Sequence, residues 1–378
     1  MSDFLRRNSG RLGWLVLWAL LLLAPLQLSE FWEQTGLFAM AAIIGAIGLT
    51  ILTGTTGQLS LAHAFFLAVG AYGYCYFAGS NGGVQVEKVS GLGLPPLLAM
   101  VLAVLLAGAC GAAFSPISGR LRGIYLGIAS IGLVFVGQHI LFNAKGLTGG
   151  FNGRDAATFS LFGFHFEPGH PDVTLGGVTF GSLEKLWYLG LVLVLLAYWY
   201  ARNVTSTRPG RALTTVRDHE VAAAVMGVNV TRYKAAAFTL SSMYAGLAGV
   251  LMALVFERLV PNTFGFALSV DYLVMIVIGG LGSVRGAVLG AIFVSMLPQA
   301  LDHWSGSLPL LAEPGSGGLQ PSQAARLLYG AAIIVVLLWA PGGLASLGRR
   351  LRPRRQRATS VQHPSALPVG ASLKETST

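Results

Sequence analysis

The sequence predicts an all-α, polytopic membrane protein of about ten transmembrane helices, and three observations carry that reading. First, 54% of the 378 residues are hydrophobic, only 11% are charged, and the mean hydropathy is +0.66. Soluble domains carry about 25% charged residues. The charge here is too sparse to coat a soluble surface, so the bilayer is the main solvent. Second, apolar runs recur at a length near the roughly 20 residues that a helical span needs. Third, Lys and Arg gather in alternate connecting segments, the pattern of positive-inside topology. The net charge of +10 lies mainly in loops and the tail, so it reads as topology rather than as a surface for nucleic acid.

Candidate spans fall at about 12–28, 37–53, 58–79, 95–115, 122–143, 186–201, 235–256, 266–281, 286–303 and 325–345. The first follows Arg6, Arg7 and Arg11 and no small-x-small site comes after it, so it is expected to be a retained span. Starting inside, the alternation leaves only Lys88, Lys145, Arg154, Lys185, Arg258 and Arg326 of the 25 basic residues outside, with both termini in the cytoplasm. Trp14, Trp32, Trp187, Trp199, Trp304 and Trp339 fall near span ends, where an amphipathic ring is comfortable. Cys75 and Cys110 lie within apolar segments and read as small buried hydrophobes. Among the 50 glycines, Gly123-x3-Gly127 and Gly286-x3-Gly290 are candidate close-packing devices between helices.

A transmembrane region is thus expected over residues 1–347, with an external loop at 144–184 and a cytoplasmic loop at 202–234. A basic, Ser/Thr/Pro-rich cytoplasmic tail at 348–378 is expected to be disordered, its arginines near anionic lipid headgroups. Two inside hairpins resemble each other. Thr53–Ser60, with Gly57, Gln58 and Ser60, joins the second and third spans. Gly279–Gly286, with Gly280 and Gly282, joins the eighth and ninth. Irregular backbone at that depth needs protein or a water cavity to satisfy it, so both are placed in the bundle or at its inner mouth. The external loop carries Thr148, Gly149, Gly150 and Asn152, then His165, Glu167, His170 and Asp172. Pro168, Gly169 and Pro171 rule out helical spacing for a metal site in the latter group, and no metal is expected.

Few ionisable groups lie inside spans. Asp271 sits a turn or so into the eighth span, where an interfacial, solvated carboxylate is expected; a functional intramembrane carboxylate is the alternative. Glu257 and Arg258 close the seventh span and are expected to pair with each other or with solvent, while His63 and His139 read as packed, hydrogen-bonded histidines. No nucleophile–base pair suggests a membrane enzyme. No Gly-x4-Gly-Lys-Ser/Thr is present, so any ATP must be bound by another chain. A stand-alone secondary carrier or channel would need intramembrane carboxylates or broken helices, and neither signal is clear.

Residues 208–234 form the longest polar island. Pro209-Gly210 predicts a turn. Asp218 is the expected N-cap of a short helix, His219 to Met226, with Glu220 in its first turn. Ala222, Ala223 and Ala224 give it a small, smooth face, Gly227 suits the left-handed position that stops it, and Thr231 or Asn229 starts the next span. A capped helix held there can seat in a groove of a partner.

Glu220–Gly227 resembles the EAA loop of ABC-importer permeases. The chain as a whole resembles the M-type permease of branched-chain (hydrophobic) amino-acid ABC importers. Five motifs carry this over roughly residues 37–345: Gly57–Ala64 with Gly70–Tyr72; Leu121–Leu126; Leu147–Gly153; Gly210–Leu213 through Gly227–Lys234; and Gly279–Ser283 with Gly290-Ala291. The resemblance implies an ABC-importer permease bundle and import of branched-chain or other amino acids, or of urea or an amide in related systems. It implies as partners a second permease subunit, two cytoplasmic ATPases that hold ATP and Mg, and an external solute-binding protein. No cofactor is implied in this chain, and no enzyme activity. Asp218, His219, Glu220, Val221, Ala222, Ala223, Ala224, Met226 and Gly227 then form the ATPase-coupling helix. Gly57, Gln58, Ser60, His63, Thr148, Gly149, Gly150, Asn152, Gly279, Gly280 and Gly282 belong to the translocation path or to external docking. One departure stands out: Gly227 follows Glu220 by seven residues rather than the usual six, so Val221 occupies the expected Glu position. The resemblance implies a multi-pass protein of a bacterial cytoplasmic (inner) membrane.

Overall fold

The computed structural model describes residues 21–80, 89–121, 123–161, 164–166, 173–175, 178–304, 320–339 and 342–346. Most of the first expected span and the tail at 348–378 lie outside them. The chain is a multi-pass, all-helical membrane protein. Among the described residues, six helices are long and apolar enough to cross a membrane: α1 (Glu30–Leu49, running on to Gly54), α3 (Pro96–Arg120), α4 (Ile124–Asn143), α5 (Ser182–Ser206), α8 (Val230–Phe256) and α10 (Val284–His303); α2 (His63–Ala78), α9 (Phe266–Gly279) and α11 (Pro321–Trp339) are packed among them as shorter apolar helices. Between α5 and α8 lie two short helices, α6 (Arg208–Asp218) and α7 (Glu220–Val225). These mark what we term the basic end of the bundle. At the opposite, loop end, short strands form three antiparallel pairs. One joins β1 (Arg154–Asp155) to β6 (Arg258–Leu259), tying the loop after α4 to the end of α8.

Helices α1 and α8 run through the core and are buried over most of their apolar length. Glycine sets how closely their neighbours approach. Gly70 of α2 faces the backbone of Gly246 on α8, and Gly249 faces the backbone of Leu67, leaving no room for a Cβ at either place. Gly286 and Gly290 of α10 lie against the carbonyls of Gly279 and Met275 on α9, so this pair does act as a packing device. Gly123 and Gly127 do not: Gly123 has no neighbour within 4 Å and is the positive-φ residue before α4, and Gly127 touches only Leu59. Trp187, near the start of α5, is packed inside the protein. Its ring fills the space over Gly36, and its indole N–H donates to the Leu21 carbonyl at 3.0 Å. Trp32 and Trp304 do cluster with Phe31 and His303 at the loop end, with ring centroids 5.0–6.1 Å apart.

The third expected span differs most. A continuous helix over 58–79 is expected, but helix begins only at His63. α1 extends through a π-turn (Thr50–Gly54). The chain then reverses at Gly57, φ +71°, and climbs back into the bundle as non-helical backbone. His63 therefore starts α2 well inside the protein. Its ring lies 4.7 Å from that of Tyr272, which itself covers Gly45, about 13 Å along α1 from Gly54. Serine hydroxyls replace the missing helical acceptors: Ser130 accepts from Leu61 N at 2.9 Å and Ser269 from Ala64 N at 3.0 Å. Non-helical backbone at this depth survives because protein groups satisfy it.

Candidate functional site

At the basic end, α6 is an amphipathic helix rather than a turn. Pro209 sits in its first turn, where a missing N–H costs nothing, and Gly210, Leu213 and Val216 are buried. Asp218 is the last residue of α6, not the N-cap of α7. The N-cap position falls to His219 in an extended conformation, and Asp218 instead accepts from Arg217 Nε at 3.0 Å. α6 absorbs Asp218 because its own apolar stripe continues to Val216, carrying the helix one turn further than the capping signal suggested. The stop at Gly227 holds: φ is +83°, Gly227 N donates to Ala224 O and Val228 N to Ala223 O, each at 3.0 Å. Asn229 then caps α8, its side chain accepting from Arg232 N at 3.1 Å.

Burial on α7 is one-sided. Ala223 is fully buried, and Glu220 turns inward to pair with the buried Lys234 of α8. Val221, Val225 and Met226 are 79%, 84% and 66% exposed, and Ala222 and Ala224 are exposed beside them. The outward face is therefore apolar and fuller than three alanines would make it. Val221 and Val225, four residues apart, lie on one side of the helix.

The two glycine hairpins meet at this end. A Cβ on Gly54 would overlap the backbone of Gly282, whose φ is +79°, so the two loops touch backbone to backbone. Arg217 reaches this contact from α6. Its Nη1 donates to the Gly54 carbonyl at 2.8 Å, and its aliphatic stem passes over Gly57, where a built Cβ would come within 3.0 Å. Gly280, φ +109°, packs against Gly342 and Gly343. Gln58 and Ser60 are buried; the Gln58 amide has no hydrogen-bond partner among the described residues, nor has His63 Nε2 deeper in the bundle. Gly57, Gln58, Ser60, Gly279, Gly280 and Gly282 thus come together, with Arg217 as the link to α6.

The other expected residues sit at the loop end. Thr148, Gly149, Gly150 and Asn152 form a compact turn. Thr148 Oγ1 donates to Leu141 O at 2.6 Å and accepts from Gly150 N at 3.2 Å. Gly149, Gly150 and Gly153 all have positive φ, and Asn152 O accepts from Arg258 at 2.8 Å. Leu147, Phe151 and Asn152 are exposed, Phe151 by 75%. Arg258 pairs with Asp155 at 3.6 Å rather than with Glu257, because the β1–β6 pairing sets Arg258 opposite Asp155. His139 is exposed, 3.3 Å from the Asn143 amide. Glu167, His170 and Asp172 lie outside the described residues, as does the side chain of His165.

The comparisons fit this layout. Residues 33–337 match the sequence profile of the branched-chain amino acid transport system permease component family. The chain belongs to this family. It is 28% identical over 348 residues to the high-affinity branched-chain amino acid transport system permease protein LivM of Salmonella typhimurium, covering 89% of this chain and 75% of that one. The LivM protein of Escherichia coli K12 matches to the same extent. LivH of the same strain is 26% identical over 312 residues, 80% of this chain and 90% of LivH.

Sequence reasoning missed three residues that organise this permease. Arg217 and Lys234 were visible only as topology charges. What could have marked them is their setting: an arginine in the last turn of an amphipathic helix, and a lysine one turn into an apolar one. Arg154, counted only among the outside charges, is buried. Its guanidinium donates to Ser90 O at 2.9 Å, Leu147 O at 2.8 Å and Cys75 O. Burial pulls its pKa below the ordinary guanidinium value, yet arginine keeps its charge. Arg154→Lys is expected to cost the permease about 2–4 kcal/mol, since one ammonium cannot serve three diverging carbonyls. A thermal unfolding midpoint unchanged from wild type would refute this.

Proposed function

We propose that this permease is the membrane-spanning subunit of an ATP-driven importer of branched-chain or related amino acids in a bacterial cytoplasmic membrane. The observation that carries the coupling part is α7: a short helix whose outward face is apolar and exposed, pinned from behind by Glu220–Lys234 and by Arg217 on the hairpins. Apolar side chains this exposed at a loop mark a docking surface. The occupant is a cytoplasmic ATPase, which supplies the ATP and Mg that this chain's sequence has no P-loop to hold. The basic end then faces the cytoplasm, as do both termini, and the loop end faces outward, where Leu147 and Phe151 meet a solute-binding protein. A second permease subunit completes the path, and substrate selection rests largely with the binding protein.

Movement of the docked ATPase displaces α7 and α6 together, and Arg217 conveys that displacement to the Gly54–Gly282 contact. The chain itself catalyses no reaction. The test is reconstitution with candidate ATPases, the partner permease and binding protein in proteoliposomes. Deleting 218–227 is expected to abolish both ATPase co-purification and uptake. ATP-dependent uptake at the wild-type rate after that deletion, or uptake by this chain alone on a proton or sodium gradient, would overturn the reading.

A further inference from the structure

A cavity of about 190 Å3 lies among α1, α8, α9, α10 and α11 in the loop-end half of the bundle. Its walls are mostly apolar, with Phe38, Met252, Leu268, Met275 and Val294 among them, and one carboxylate, Asp271 of α9, opens on it. Three hydroxyl side chains line the wall, those of Tyr272, Ser295 and Tyr329, and two are committed elsewhere: Ser295 donates to Ala291 O and Tyr329 to Val294 O, each at 2.6 Å. Asp271 makes no hydrogen bond and no ion pair among the described residues; Arg326 of α11 acts on it only electrostatically.

The depth is decisive. Phe38 lies about 9 Å inward of Trp32 along α1, and Pro298 about 9 Å inward of Trp304 along α10. The cavity therefore sits inside the level of the aromatic cluster, and Asp271 on its wall is half-buried. A half-buried carboxylate whose nearby cation, Arg326, makes no direct ion pair with it is costly, and such groups serve a ligand or an ion path.

We propose that this cavity binds a primary ammonium group carried on an aliphatic chain, with the Asp271 carboxylate as its counter-ion. The carboxylate supplies the charge, and the surrounding side chains supply an apolar bed for the alkyl part. The same pairing disfavours a ligand whose only charge is a carboxylate. A free aliphatic amino acid or amine has this chemistry, and so does the headgroup of an aminophospholipid. The inference is independent of ATPase docking at the basic end.

The test uses the full-length permease in phosphatidylcholine nanodiscs, whose lipid carries no primary amine, with radiolabelled leucine. Saturable binding is expected, displaced by isoamylamine and not by 4-methylpentanoate. Asp271→Asn is expected to weaken it about tenfold or more, the scale for removing one member of a buried charge pair. Val294→Phe fills the cavity, keeps the carboxylate, and is expected to abolish binding as well. Thermal unfolding of both variants reports whether they fold. If leucine fails but phosphatidylethanolamine added to the discs is retained only when Asp271 is present, the ammonium comes from lipid and the site stands. Leucine bound equally by wild type and Asp271→Asn, or no Asp271-dependent binding of any of these amines, overturns it.

Discussion

Arg217→Ala is expected to leave the transporter assembled but uncoupled. The exposed face of α7 does not involve Arg217, and Glu220 remains paired with Lys234, so the ATPase should still co-purify. What is lost is the guanidinium on the Gly54 carbonyl, a charged hydrogen bond worth about 1.5–3 kcal/mol. That range corresponds to roughly a tenfold to hundredfold fall in solute moved per ATP hydrolysed if the contact is made in only one of two transport states. Arg217→Lys keeps the charge without the planar fork and is expected to restore part of the ratio. Solute uptake and phosphate release, measured together in proteoliposomes, give that ratio directly. A wild-type ratio in Arg217→Ala would show that α6 does not act through the hairpins.

The second large effect is steric. Gly70→Val and Gly249→Val each place side-chain atoms into backbone of the facing helix, at Gly246 and Leu67 respectively. A side-chain end can rotate away from such a clash, whereas backbone inside two packed helices cannot. Each substitution is expected to destabilise the permease by about 3 kcal/mol or more, beyond ordinary overpacking of a core. The readout is the yield of monodisperse protein in detergent. Gly132→Ala and Gly330→Ala provide the contrast. Both glycines lie within helices, and a Cβ built there meets nothing within 4 Å among the described residues, so alanine there is expected to be neutral or to stabilise by about 0.5–1 kcal/mol. Equal losses at all four positions would mean that close approach is not what these glycines provide.

Much of the fold could be read from composition, because a helix that crosses hydrocarbon must be apolar over its whole length. The ends of α4, α8 and α10 agree with the expected spans to within a few residues for this reason. α2 misled for the same reason. Leu59, Leu61 and Ala62 are as apolar as any helical residue, and what makes the segment extended is distant: hydroxyls on Ser130 and Ser269 that compete for its N–H groups. Local capping signals were half right. Gly227 marked a true stop because a left-handed residue needs only itself, while Asp218 failed because its helix membership is decided by Leu213 and Val216 packing behind it. The pairing of Glu220 with Lys234 spans fourteen residues, which no short motif could reveal. Counted along the chain, Glu220 stands one place off the usual position. In space it faces inward, and the residue at the usual position, Val221, faces out.

The late start of α2 has a mechanical consequence. A continuous helix from the basic end to the loop end could tilt only by swinging both of its ends. α2 is instead a rod of about 24 Å, hung on a short stretch of non-helical chain whose turning point is Gly57. Such a rod can pivot without breaking any helical hydrogen bond. Resistance to the pivot comes from the close packing of α2 on α8 at Gly70 and Gly249, from the hydroxyl contacts of Ser130 and Ser269, about 0.5–1.5 kcal/mol each, and from Arg217, whose stem rests on the pivot itself.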